Sequence, residues 1–197
     1  MFETSLIVES LTASRGGFAL FENLSFELKA GAALRVTGPN GSGKTTLLRC
    51  LAGLVQPDAG RITIQSENTF QYLAHLNGMK PQLTVAENLN FWAKMQSSGN
   101  VTSAIETLNL TRLKDLPFSV LSSGQKRRVG IARLLLSPRA VWLLDEPTVG
   151  LDIVSISVFE TVLENQLSEG GIVIAATHTP LGKANWQTLD LQPVTIS

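Results

Sequence analysis

The stretch Gly38-Pro39-Asn40-Gly41-Ser42-Gly43-Lys44-Thr45-Thr46 sets a glycine, four intervening residues and then Gly-Lys-Thr in one short run. Glycines let successive backbone N–H groups turn inward around a polyphosphate with no Cβ in the way. An apolar run, residues 33–37, precedes the stretch, and a helical pattern, residues 45–52, follows it. The partial positive charge at a helix N-terminus favours the same anion. In this strand–loop–helix setting Lys44 is expected to reach the β- and γ-phosphates of a nucleotide, and the Thr45 hydroxyl to ligate Mg²⁺. The alternative is an ordinary glycine-rich turn before a helix. Motif and context together favour the phosphate loop.

Three further groups carry chemistry. Trp142-Leu143-Leu144-Asp145-Glu146 reads as a buried strand delivering two carboxylates at its C-terminal end, where ligands sit in open α/β sheets. Asp145 is expected to bind Mg²⁺, directly or through water, opposite Thr45, and Glu146 to polarise the water that attacks the γ-phosphate. Without the phosphate loop, the pair would read equally well as an acidic strand cap. Leu121-Ser122-Ser123-Gly124-Gln125 has the spacing of a capping box, Ser122 with Gln125, opening a helix over residues 126–136. A helix N-terminus with a serine hydroxyl is also an anion site. One chain has no use for two phosphate sites, whereas a second copy gives this one a role. His178 follows the apolar strand that ends near residue 176. It is a strand-end histidine or, in this setting, an N–H donor to a γ-phosphate.

These groups need a sheet to hold them. Residues 5–9, 24–28 and 33–37 read as short strands, with Lys29-Ala30-Gly31 as a turn and Arg61-Ile62-Thr63-Ile64 as a further half-buried strand. The runs 140–144 and 171–176 are almost wholly apolar, as in parallel strands covered on both faces, and residues 155–168 form the helix between them. Residues 82–114 read as a helical insert with capping-box spacings at Thr84/Glu87 and Ser103/Glu106. Phe91, Trp92 and Met95 are either core or an exposed docking face. The expected class is α/β: one domain over residues 1–197 with a mixed sheet, an antiparallel β part and a helical part.

Composition narrows the function. Lys plus Arg equals Asp plus Glu, so no large non-specific nucleic-acid surface is expected. The single Cys50 precludes an internal disulfide and reads as a small core residue. Met1-Phe2-Glu3 opens no leader pattern, and no window approaches the length of a membrane span. The expectation is a chain soluble by itself, with any membrane role supplied by a partner and no room for a C-terminal regulatory domain.

In order along the chain, the phosphate loop, Leu121–Gln125, Asp145-Glu146, Gly150-Leu151-Asp152 and His178 resemble the nucleotide-binding subunits of ATP-binding cassette (ABC) transporters. The resemblance covers essentially the whole chain. It implies a phosphate-loop ATPase fold with a helical subdomain at about residues 78–137, and two copies sandwiching two ATP molecules head to tail. Ser122 and Gly124 of one copy would face Lys44 and Thr45 of the other, with Ser123 and Gln125 part of the same nucleotide-binding stretch. Asp152 would lie at the shared interface, Glu146 would act as base and His178 as γ-phosphate sensor. Kinases and GTPases have no use for the Leu121–Gln125 motif, and no Asn-Lys-x-Asp stretch is present.

The sequence departs from the family in three places. A glutamine is usual after the strand before the helical insert. Here the stretch is Tyr72-Leu73-Ala74-His75-Leu76-Asn77, with Gln71 and Gln82 out of register and His75 as the substitute ligand, unless a water serves. The aromatic platform for adenine has Arg15 in its place, with Phe18 nearby; a planar guanidinium also stacks on a base. Ser123 replaces a more usual glycine. Trp142, residues 169–174, Thr177-His178-Thr179-Pro180-Leu181 and Asn77-Gly78-Met79-Lys80 further resemble the ATP-binding subunits of cytochrome c maturation exporters. That resemblance implies membrane subunits like CcmB and CcmC, a place at the cytoplasmic face of a bacterial inner membrane, and ATP use tied to haem export or to release of haem from a periplasmic chaperone. No haem-binding Cys-x-x-Cys-His motif occurs, so no direct haem contact is expected. The alternatives are the ATPase of a lipid, drug or peptide exporter, with an unchanged active site, and a soluble ABC protein.

Overall fold

The computed structural model describes residues 4–65, 70–74, 77–96, 99–136 and 139–192. The described strands divide into two sheets. A three-stranded antiparallel sheet has the order β2-β1-β4, built from β1 (Ser5–Arg15), β2 (Phe18–Lys29) and β4 (Ala59–Gln65). A five-stranded sheet has the order β5-β6-β7-β3-β8 and is parallel throughout, from β3 (Ala33–Thr37), β5 (Phe70–Leu73), β6 (Val141–Asp145), β7 (Ile172–Ala176) and β8 (Trp186–Asp190).

The apolar runs behave as strands covered on both faces. In β6 and β7 every residue is buried. Because side chains alternate along a strand, each run feeds two cores. Trp142, Leu144, Val173 and Ala175 face one core, shared with Phe159 and Leu163 of α5 (Ile153–Ser168) and with the helices of the insert. Val141, Leu143, Ile172 and Ile174 face the other, shared with α1 (Lys44–Leu51) and the antiparallel sheet. Cys50 lies buried in this second core. Asp145 continues the 141–143 face, so its carboxylate emerges on the α1 side.

β1 and β2 run further than residues 5–9 and 24–28. Register shifts between Val8 and Leu11, where Ser10 takes φ 47°, break the alternation that would reveal one long strand. The two strands turn at Gly16-Gly17, both at positive φ, the conformation a tight two-residue hairpin needs. Arg15 and Phe18 are paired across the tip.

Between β5 and β6 lie α2 (Val85–Met95), α3 (Val101–Thr107), a short 3₁₀ turn at Phe118–Val120 and α4 (Ser123–Leu134). Thr84 and Glu87 close a reciprocal capping box on α2. α3 differs from expectation: Asn100 accepts from the Ser103 N–H and caps the helix one turn earlier, so the Ser103/Glu106 spacing is not a start signal. The Phe91, Trp92 and Met95 face divides. Leu89 is core, Trp92 packs against it and donates to Gly78 O at 3.2 Å, while Phe91 and Met95 are exposed. β8 carried no sequence signal, because this parallel edge strand is half-exposed and has no apolar run.

Candidate active site

The phosphate loop joins β3 to α1. Among the described α-helices, α1 alone lacks a side-chain cap: its N-cap is Gly43 at φ 98°. Its first N–H groups are therefore left for an anion. Gly38 is required by close approach, since a Cβ there would stand 2.3 Å from Leu191 O. Gly41, at φ 86°, has nothing within 4 Å of its Cβ position and leaves the loop's mouth open. Lys44 Nζ donates to Gly38 O at 2.8 Å and Pro39 O at 2.9 Å, which holds the ammonium over the loop. Ser42 Oγ is buried with no hydrogen-bond partner among the described residues, a donor suited to a phosphate oxygen.

The Thr45 hydroxyl meets Asp145 Oδ2 at 2.9 Å and Oδ1 at 3.2 Å, across 100 residues of sequence. Tyr72 Oη approaches Asp145 Oδ2 at 3.4 Å from the neighbouring strand. Burial first, and the Asp145 charge second, push the Tyr72 phenol above its ordinary pKa, so it stays a donor. A hydroxyl and a carboxylate side by side are hard oxygen donors of the kind Mg²⁺ takes along with substrate phosphates. This donor set fits the ion, although the described residues hold no group of three or more His, Cys, Asp or Glu side chains that suits a metal.

Glu146 adopts φ 47°, unusual for a residue with a side chain. Its N–H donates to Ala176 O at 2.9 Å, and its carbonyl accepts from Arg127 Nη2 at 2.8 Å. Its carboxylate lies 3.8 Å from His178 Nε2, and both side chains have access to solvent. The strained backbone sets Glu146 apart from the buried Asp145, at the rim of the same cleft. That cleft measures 540 Å³ and is lined by Arg15, Phe18 and Leu20 of the β1–β2 hairpin together with Lys44, Thr45, Asp145 and Glu146. Asn40, Gly41, Gly43 and Thr46 complete the lining.

The structure does not bring Ser122, Ser123, Gly124, Gln125 and Asp152 into that cleft. They line a separate polar recess of 270 Å³ with Arg128 and Gly150. Ser122 caps α4: the Gln125 N–H donates to Ser122 Oγ at 3.3 Å, and the Ser122 N–H to Gln125 Oε1 at 2.9 Å. Gly124 is required by contact, because a Cβ there would stand 2.4 Å from Gly150 O. Asp152 accepts the Ser155 N–H at 2.7 Å as N-cap of α5, which holds its carboxyl below the usual range. His75 lies outside the described residues. Gln71 is buried and donates to Arg133 O, directed away from the cleft.

Two buried arginines belong to no motif that the sequence displays. Arg127 is buried at the C-terminal ends of β5 and β6, and burial pulls its pKa down to about 10 despite the Asp145 and Glu146 charges. Arg133 stacks on the Trp92 ring at 4.6 Å and donates to Tyr72 O. Their signal was position: Arg127 shares a helical face with Ile131 and Leu134, all buried.

The family model described as ABC transporter matches residues 21–149. The chain is 49% identical over 190 residues to the cytochrome c biogenesis ATP-binding export protein CcmA of Rhodobacter capsulatus, covering 96% of this chain and 88% of that protein. It is 50% identical over 188 residues to the protein of the same name from Cereibacter sphaeroides, covering 95% and 89%. Among solved structures, an ABC transporter ATP-binding protein from Pyrococcus furiosus matches with TM-score 0.82 at 24% identity, covering 95% of this chain and 97% of that one. The cbiO1 protein of Clostridium perfringens, part of the ABC transporter complex cbiONQ, matches with TM-score 0.70 at 27% identity, covering 90% and 79%.

Proposed function

This chain belongs to the ABC transporter family, and from that membership we propose that it is the ATP-hydrolysing subunit of an exporter complex serving cytochrome c maturation. The observation that carries the ATPase reading is the convergence of Lys44, Thr45, Asp145 and Glu146 on one cleft. The match along almost the whole chain to proteins named for cytochrome c biogenesis supports the pathway.

In this reading the backbone N–H groups that open α1 and the Lys44 ammonium hold the ATP phosphates. Thr45 and Asp145 hold Mg²⁺, which when bound neutralises phosphate charge. Glu146 takes a proton from the attacking water, and His178 donates to the γ-phosphate as negative charge builds there. Arg15 or Phe18 stacks on adenine. Ser122, Ser123, Gly124, Gln125 and Asp152 serve the cleft of a second copy, which is why they lie apart from Lys44 within one chain. Residues 78–137 form the helical subdomain that meets the membrane subunits, which resemble CcmB and CcmC. No described helix is long and apolar enough to cross a membrane, which suits a peripheral subunit at the cytoplasmic face of the inner membrane. The work done there is haem export or release of haem from its periplasmic chaperone.

The test is to purify the tagged Glu146→Gln chain from gently solubilised membranes with ATP present, and to identify its companions. Recovery of cytochrome c maturation membrane subunits supports the pathway. Recovery of a different permease keeps the ATPase and replaces the pathway. A chain found only in the soluble fraction overturns the transporter reading. Specific ATPase activity of the wild type should also rise with chain concentration, as two-copy sites require.

A further inference from the structure

We infer that Arg127 is a positioning residue for hydrolysis, tying the backbone of Asp145-Glu146-Pro147 to the chain segment that leads into the helical insert. The inference rests on the ATPase reading above and goes beyond it, by making the place of the Glu146 carboxylate depend on the loop after β5.

The guanidinium of Arg127 has five N–H groups, and the structure supplies five acceptors. Nε donates to Pro147 O at 2.9 Å. Nη2 donates to Asp145 O at 2.6 Å and Glu146 O at 2.8 Å. Nη1 donates to Ala74 O at 2.7 Å and Asn77 Oδ1 at 3.2 Å. Three successive carbonyls of the carboxylate loop and two acceptors of the β5 loop are thus held by one buried side chain. A lysine ammonium, a compact point charge, cannot span this set. No carboxylate accepts from Arg127 in these bonds, so it is placed to hold backbone.

What it holds needs holding. Glu146 sits at φ 47°, a conformation that persists only where surroundings over-determine it. Ala176 O fixes the Glu146 N–H and Arg127 fixes its carbonyl, so the two bonds flank the strained residue and set where its carboxylate points. On the other side, Asn77 is pressed against α4: a Cβ on Gly130 would stand 2.4 Å from Asn77 Oδ1. A shift of Ala74 and Asn77 relative to α4 therefore reaches Glu146 through one rigid, planar group. Arg127 touches no reacting atom.

The experiment compares the wild-type chain with Arg127→Lys and Asn77→Ala, measuring kcat and KM for ATP, nucleotide Kd by titration, and thermal melting. The expected result for Arg127→Lys is at least a tenfold fall in kcat, with KM and Kd within twofold of wild type. For Asn77→Ala, which removes one acceptor of five, a smaller fall in kcat is expected, with Kd unchanged. Wild-type kcat in Arg127→Lys overturns the inference. If Arg127→Lys does not fold, Asn77→Ala decides: lowered kcat at unchanged Kd supports the coupling, and unchanged kcat overturns it. Absence of ATP hydrolysis by the wild-type chain overturns the reading of the site, and this inference with it.

Discussion

A methyl group added at Gly124 tests whether the turn that opens α4 must sit where it does. An ideal Cβ there would lie 2.4 Å from Gly150 O, against an ordinary contact of 3.4 Å or more. Relief requires a shift of about 1 Å, because the opposing atom is a backbone carbonyl and not the end of a flexible side chain. Overpacking of this kind costs about 1–3 kcal/mol. At about 2–4 °C per kcal/mol for a chain of this size, Gly124→Ala should melt roughly 2–12 °C below wild type. The phosphate loop is untouched, so nucleotide binding by the single chain should be unchanged. A misplacement of about 1 Å can cost about 100-fold in rate, so kcat at saturating ATP should fall at least about tenfold. The assay pairs thermal melting with steady-state hydrolysis at several chain concentrations. Ser123→Ala, at an exposed neighbour, serves as the control and should melt as wild type does. A Gly124→Ala chain with wild-type melting and wild-type kcat would refute the steric argument. A lowered melting point with wild-type kcat would keep the packing and remove the catalytic role of the turn.

Other perturbations follow from the same geometry. Glu146→Gln preserves volume and both flanking backbone bonds, so melting should hold while loss of the general base lowers kcat by about 10²–10⁴; size-exclusion chromatography should show a longer-lived ATP-bound dimer. Lys44→Ala removes a charged donor to the phosphates, worth about 1.5–3 kcal/mol, and should weaken nucleotide Kd by about 10–100-fold in a titration. Asp152 is held below its ordinary pKa by the Ser155 N–H. A depressed carboxyl stabilises above the unfolded value and loses that contribution as pH falls through the folded one. Wild-type melting should therefore fall more steeply with acid below about pH 4 than that of Asp152→Asn, which keeps a capping oxygen but does not titrate.

Legibility in the sequence followed locality. The capping boxes at Thr84 and Ser122 were readable because a cap is an i-to-i+3 hydrogen bond. The Ser103 box misled for the same reason: Asn100 also had its acceptor in range of an N–H three residues on. β6 and β7 were readable because burial on both faces leaves only apolar side chains. β8 was not, because an edge strand can be half polar. Arg127 was hidden in a helix with other basic residues, where charge alone suggests a solvated face.

By itself, the sequence determined the phosphate-loop pattern, the carboxylate pair at a strand end, the apolar runs of the parallel sheet and the family resemblance, all of which rest on residue type and short spacing. Tertiary structure decided the convergence. The strand order β5-β6-β7-β3-β8 carries Asp145 to Thr45, Glu146 to within 3.8 Å of His178, and Tyr72 to the Asp145 carboxylate. It also set the Leu121–Gln125 motif apart from the phosphate loop and turned Arg127 inward onto five acceptors. The physical reason is that hydrogen bonds between distant residues depend on which strands neighbour one another, and no spacing along the chain records that order.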